Sequence, residues 1–251
     1  MKNYLKLIVS LLFIISICSA EALSQEGIPT LGEQAPSFKA KTTMGDITFP
    51  EDFGNSWKII LSHPKDFTPV CTSEIFELAK MQQEFDNLGV KLAIISTDDL
   101  SSHVAWKGLL EDLLVEYADA EKINFPLIED ANTRISQKYG MLHAWENKTR
   151  DVRGVFIIDP ENVIRTINFY PMNVGRNMEE IKRVVVALQL TESGLVMTPA
   201  NWKYGDDVLM KYVPYSNKDL LDNPDLKEQY YKVGINMWYK KELASEFKPK
   251  N

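Results

Sequence analysis

The chain has 251 residues, 45% of them hydrophobic and 25% charged, a balance that fits a globular domain with an appendage at about 150 residues per domain and argues against collagen or disorder. A net charge of −7 and a pI near 5.1 argue against nucleic acid as a partner, because displacing the counterions of a polyanion takes clustered Lys and Arg.

At the N-terminus, Lys2 and Lys6, the apolar run Leu7 to Ile17 and the small-residue exit Cys18-Ser19-Ala20 have the three regions of a secretory signal peptide. Residues 1–20 are expected to be removed and the remainder exported, to a periplasm or the medium. An uncleaved anchor would need about 20 apolar residues, and lipidation at Cys18 would need a small residue where the bulky Ile17 stands. Cleavage takes Cys18 with it and leaves Cys71 as the one thiol. A lone cysteine in an exported chain points to intermolecular pairing or a reactive thiol, against the plainer use as a small buried hydrophobe.

Over residues 30–190 strands alternate with helices, the pattern of an α/β sheet covered by helices. Trp57 to Ser62 predicts a central strand, and Thr72 to Asn87 a helix with Ile75, Leu78, Ala79 and Phe85 on one face and Gly89 as its stop. Val90 to Ser96 predicts the next buried strand, 101–118 a helix, Phe125 to Ile128 a short strand, and Ala131 to Tyr139 a helix closed by Gly140. Arg153 to Asp159 and Val163 to Phe169 predict an antiparallel hairpin about Pro160-Glu161-Asn162. Asn177-Met178-Glu179-Glu180 has a capping-box pattern and opens a helix to about Leu190. From 191 to 251 prolines, Tyr and Trp accumulate over short periodic stretches. This second, smaller unit is too apolar for a disordered tail and is expected to pack on the main domain or on a second subunit, giving a homodimer or larger assembly.

The chemistry concentrates in Ser62-His63-Pro64-Lys65-Asp66-Phe67-Thr68-Pro69-Val70-Cys71-Thr72-Ser73-Glu74, between the first central strand and its helix. Thr68 fits an N-cap and Pro69 the first helical position, so Cys71 falls at the third. Unpaired amides and the positive end of the helix dipole there favour a thiolate, the nucleophilic form of cysteine.

At these residues the chain resembles a known family. Pro64-x-x-x-Thr68-x-x-Cys71 is similar to the active-site motif of peroxiredoxins, thiol peroxidases on a thioredoxin-like fold with a smaller C-terminal domain. The longer string resembles their one-cysteine, peroxiredoxin-six-like subfamily, as do Arg153 to Pro160, Tyr170-Pro171 and Val174-Gly175-Arg176-Asn177. The resemblance implies that Cys71 attacks hydrogen peroxide or an organic hydroperoxide and becomes a sulfenic acid, in antioxidant defence. It further implies that Thr68 hydrogen-bonds the peroxide, that Arg153 stabilises the thiolate and the charge along the breaking O–O bond, and that Pro64 shields the pocket. Glu74 and Arg176 match positions where a carboxylate orients an arginine, and His63 a position near the sulfur. With no second thiol, the sulfenic acid needs an external reductant, glutathione or a thioredoxin-like protein. No cofactor or metal is expected, since three scattered histidines and one cysteine make a poor metal site.

Each of these residues has a plainer use: Thr68 as a cap, Arg153 and Arg176 as surface charges, His63 as a packed histidine. Two other functions compete. Gly54-Asn55-Ser56-Trp57-Lys58 approaches the Gly-x-Ser-x-Gly of an acyl hydrolase, credited to some members of the subfamily, but Lys58 replaces the second glycine and Pro50 stands where a histidine partner is expected. A holdase-like assembly needs no thiol; client aggregation measured with and without Cys71 separates it from peroxidase action.

Overall fold

In the computed structural model, which describes residues 28–118 and 122–241, the expected signal peptide at 1–20 lies outside the described residues. Strands β1 (Phe38–Thr42) and β2 (Gly45–Phe49) pair as an antiparallel hairpin. They are joined by β3 (Trp57–Ser62), β4 (Val90–Ser96), β5 (Leu127–Glu129), β6 (Arg153–Ile158) and β7 (Ile164–Tyr170) in one sheet of order β2-β1-β5-β4-β3-β6-β7. β3 runs parallel to β4 and antiparallel to β6, and all six residues of both β3 and β6 are buried. Strands covered on both faces lose the polar alternation of an exposed sheet, which is why WKIILS and RGVFII read as near-continuous apolar runs.

The helices differ from expectation at their ends, for local reasons. The helix expected from Thr72 starts three residues earlier as α1 (Pro69–Lys80), because Pro69 presets the first helical φ after an extended Thr68. It is interrupted at Met81, whose amide donates to both Glu77 and Leu78, and resumes as α2 (Gln82–Asn87). Phe85 still enters the core with Ile75 and Leu78. α3 (Leu100–Tyr117) is capped by Asp99, which accepts from the Ser102 amide. α4 spans only Arg134–Lys138, since Thr133 at φ 60° is left-handed and no helix can run through it. α5 (Met178–Thr191) opens on Asn177, whose side chain accepts from the Glu180 amide at 3.0 Å.

Two apolar clusters fill the faces of the sheet. Leu61, Cys71, Ile75, Trp106, Val155 and Ile181 pack on one, and Phe49, Ile60, Tyr139 and Phe156 on the other. The C-terminal stretch contains β8 (Val196–Met197), β9 (Val208–Met210), α6 (Asn217–Asp222), α7 (Leu226–Gln229), β10 (Tyr230–Val233) and β11 (Met237–Lys240). Its strands form a second sheet of order β10-β11-β9-β8, tied to α5 through Val186, Trp202 and Val208.

Candidate active site

β3 ends at Ser62, the loop His63 to Thr68 crosses its end, and α1 begins at Pro69. Cys71 is therefore the third residue of α1, with no exposed surface. Arg153, the first residue of β6, donates through Nη1 to Cys71 Sγ at 3.3 Å and to Glu74 Oε2 at 2.8 Å. Its Nε donates to the Met172 carbonyl at 3.1 Å, and Nη2 bonds the same oxygen. Glu74 follows Cys71 on α1 by about one turn. It accepts at Oε1 from the Arg176 amide and Nε at 2.7 and 3.0 Å, and at Oε2 from Arg176 Nη2 at 2.8 Å. Arg176 Nη1 donates to the carbonyls of Ser62 and Gly154 at 2.9 and 2.7 Å.

Arg153, Glu74 and Arg176 are all buried. A buried charge is tolerated only when paired and hydrogen-bonded, and every oxygen of Glu74 is so used. Two guanidiniums around one carboxylate leave a surplus positive charge beside the sulfur. Arg153 and Arg176, which composition alone would place on the surface, are thus brought with Glu74 to the sulfur.

Thr68 is in the N-cap position, but its side chain makes no capping bond; its hydroxyl instead donates to the Lys65 carbonyl at 2.8 Å. Pro64 is buried where the chain leaves β3. His63 is buried beside the Trp106 ring, with centroids 4.9 Å apart. Among the described residues neither of its ring nitrogens has a hydrogen-bond partner, the sulfur included, and Asp66 Oδ1 stands 3.5 Å from Nε2. Burial, with the charges of His103, Arg176 and Arg153, holds its pKa well below the usual histidine range and leaves it neutral.

The histidines are less scattered than the sequence suggests. The loop and α3 bring His63, Asp66 and His103 together, with ligand atoms within 4.8 Å of one another. His103 Nδ1 lies 2.9 Å from Asp66 Oδ2, its Nε2 3.1 Å from the Ile128 carbonyl, and the Ser102 hydroxyl donates to Asp66 at 2.8 Å. Asp66 is thus already held, and a dication there would meet the charges of Arg153 and Arg176 that act on His63. Ser56 lies in a bend that precedes β3. A nucleophile elbow joins a strand to a following helix, so the order is wrong for acyl transfer.

Sequence reasoning passed over Met172, which acts through its backbone carbonyl, and gave Ser62 no part beyond ending the first central strand. Nothing in the identity of residue 172 signals a carbonyl acceptor.

Residues 31–167 match the AhpC/TSA family, and residues 187–212 match the C-terminal domain of 1-Cys peroxiredoxin. The chain is 49% identical to a peroxiredoxin of Methanosarcina mazei over 185 residues, 73% of this chain and 84% of that one. It is 41% identical to Peroxiredoxin-6 of Homo sapiens over 184 residues, 72% of this chain and 82% of that one. Among solved structures it resembles a peroxiredoxin 6 mutant of Arenicola marina (TM-score 0.75, 31% identity, 86% of this chain and 99% of that one). It also resembles the yeast mitochondrial 1-Cys peroxiredoxin, whose thiol is resolved via glutathione/thioredoxin systems (TM-score 0.73, 36% identity, 85% and 100%).

Proposed function

We propose a division of labour within this chain, which belongs to the AhpC/TSA family and is a thiol-specific peroxidase: Cys71 attacks, Arg153 holds the charge, Glu74 and Arg176 hold Arg153. The observation that carries it is the 3.3 Å contact between Arg153 Nη1 and Cys71 Sγ. The thiolate of Cys71 attacks one peroxide oxygen, the S–O bond forms as the O–O bond breaks, and the departing oxygen takes up a proton to leave as water or an alcohol. Cys71 is left as sulfenic acid.

Arg153 has five N–H donors, of which the contacts to Met172, Cys71 and Glu74 engage four. The remaining Nη2 hydrogen is free for the peroxide, whose oxygens gain negative charge in the transition state. Thr68, its own proton committed to Lys65, keeps lone pairs to accept from the peroxide O–H. Buried Pro64 keeps water from the sulfur, and neutral His63 takes no proton from the thiol. No cofactor enters these steps.

An external thiol condenses with the sulfenic acid, releasing water and forming a mixed disulfide, and a second thiol displaces Cys71 from it. Glutathione or a thioredoxin-like protein suits this role, as in the yeast 1-Cys relative. The chain acts outside the cytoplasm after loss of residues 1–20. It forms at least a homodimer, for which the exposed Tyr212, Val213, Leu221 and Ile235 speak. The test is Cys71→Ser, near-isosteric but protonated at neutral pH: peroxide consumption should vanish with the fold intact, and turnover near wild type would overturn the cysteine mechanism.

A further inference from the structure

The ladder between β3 and β6 ends at the pair Leu61 and Val155. Beyond that pair a side chain takes over from the backbone. The Ser62 hydroxyl donates to the Val152 carbonyl at 2.7 Å and accepts from the Gly154 amide at 2.8 Å. Val152 and Gly154 flank Arg153, so one hydroxyl grips the peptide groups on both sides of the arginine.

The grip is applied from behind. Leu61 and Val155 pack in the cluster that contains Cys71, whereas Ile60 and Phe156 pack in the cluster on the other face. Because successive residues of a strand alternate faces, Arg153 is on the Cys71 side and Ser62 and Gly154 are on the far side. There is no slack in this arrangement: a Cβ at Gly154 would fall 2.8 Å from Ser62 Oγ and 3.2 Å from the rings of Phe156 and Phe169. The Ser62 carbonyl also receives Arg176 Nη1, so both arginines are referenced to this one residue.

We propose that Ser62 is a positioning residue for peroxide reduction, its buried hydroxyl setting where Arg153 presents its guanidinium to Cys71. The inference rests on the role given to Arg153 above. Without the hydroxyl, the Gly154 amide and Val152 carbonyl keep only their own 3.1 Å contact, and the start of β6 is free to shift. Displacements of about 1 Å in a reacting constellation cost on the order of a hundredfold in rate.

The test is a double-mutant cycle on the second-order rate of Cys71 oxidation by hydrogen peroxide, with thermal melts confirming that each variant is folded. Ser62→Ala should slow oxidation at least tenfold, and Ser62→Ala combined with Arg153→Ala should be no slower than Arg153→Ala alone, a coupling that lost stability by itself does not produce. Gly154→Ala, which crowds the hydroxyl without removing it, should slow oxidation in the same non-additive way, and it takes the place of Ser62→Ala in the cycle if that variant does not fold. A wild-type rate in Ser62→Ala beside a slow Arg153→Ala, or losses that multiply, would overturn the inference alone. A wild-type rate in Arg153→Ala would overturn the role of Arg153 and this inference with it.

Discussion

Arg153 meets the sulfur of Cys71 with a single nitrogen, Nη1, at 3.3 Å, and the same nitrogen is fixed by Glu74 at 2.8 Å. The contact to the sulfur therefore depends on a planar group held at its other edge by Met172. A lysine at this position has one ammonium on a flexible stem and cannot serve Cys71, Glu74 and Met172 together. Arg153→Lys is expected to lower the second-order rate of Cys71 oxidation by about a hundredfold or more, the loss typical of one transition-state donor. Stopped-flow oxidation by hydrogen peroxide and by an organic hydroperoxide measures it, and an unchanged rate would return Arg153 to a structural charge.

Glu74 pairs with both buried arginines, Arg153 and Arg176. Glu74→Gln leaves both guanidiniums without their counter-charge, and breaking a buried pair in this way typically costs about 3–5 kcal/mol. Chemical denaturation should show a loss of that order, with slower oxidation as Arg153 loses its anchor. A variant as stable as the parent would mean that the arginines are held by the Ser62, Gly154 and Met172 carbonyls alone.

Asp151 is fully buried, and among the described residues neither carboxylate oxygen has a hydrogen-bond partner. The nearby Ser136 hydroxyl gives its proton to Asp130 at 2.6 Å. Burial raises the Asp151 pKa well above the usual carboxylate range; Asp130 and Asp98 add to this, and Ser136 and Arg150 oppose it. An acid raised in the folded state binds its proton more tightly there than in the unfolded chain. The stability it contributes is fully present below about pH 3.9 and is lost as pH rises through the folded value. Asp151→Asn should raise Tm at neutral pH and flatten that decline. Melts across pH 4 to 8 that show the variant falling as steeply as the parent would contradict this.

The proposed loss of residues 1–20 would leave Cys71 as the one thiol, so that its sulfenic acid waits for an external reductant and a second peroxide can carry it to sulfinic acid. Intact-mass spectrometry of protein from fractionated cells should find a chain beginning near Glu21 or Leu23, outside the cytoplasm, gaining two oxygens under excess peroxide. A mass that retains residues 1–20 would sink the export proposal. A chain that stops at one oxygen would sink hyperoxidation.

Light scattering at micromolar concentration should give at least a dimer, since the loops of the C-terminal unit leave Tyr212, Val213 and Ile235 more than half exposed. A stable monomer would refute it.

The order of strands and helices from Trp57 to Thr191 was legible in the sequence because each element carries its own period of apolar residues. The place of Cys71 at the third residue of α1 was legible because Thr68, Pro69 and Cys71 lie within four residues, so a local rule about the first turn of a helix locates the thiol. The hairpin β1–β2 and the sheet after Thr191 went unread: strands of two to five residues hold few positions for a period, and unlike the equally short β5 they do not alternate with long amphipathic helices. Composition alone would have left Arg153 and Arg176 as surface charges, and only the family resemblance brought them to the site. Tertiary structure decided how they act. Arg153 is 82 residues from Cys71 and Arg176 is 102 from Glu74. What brings Arg153 within 3.3 Å of the sulfur is the pairing of β6 beside β3, and the loop between β7 and α5 returns Arg176 to Glu74, long-range choices made by the whole core. The same strand pairing sets Ser62 against Gly154, and α3 brings His103 to Asp66, a neighbour that no spacing along the chain announces. Local residues therefore determined where the thiol of Cys71 sits, and the sheet decided which charges surround it.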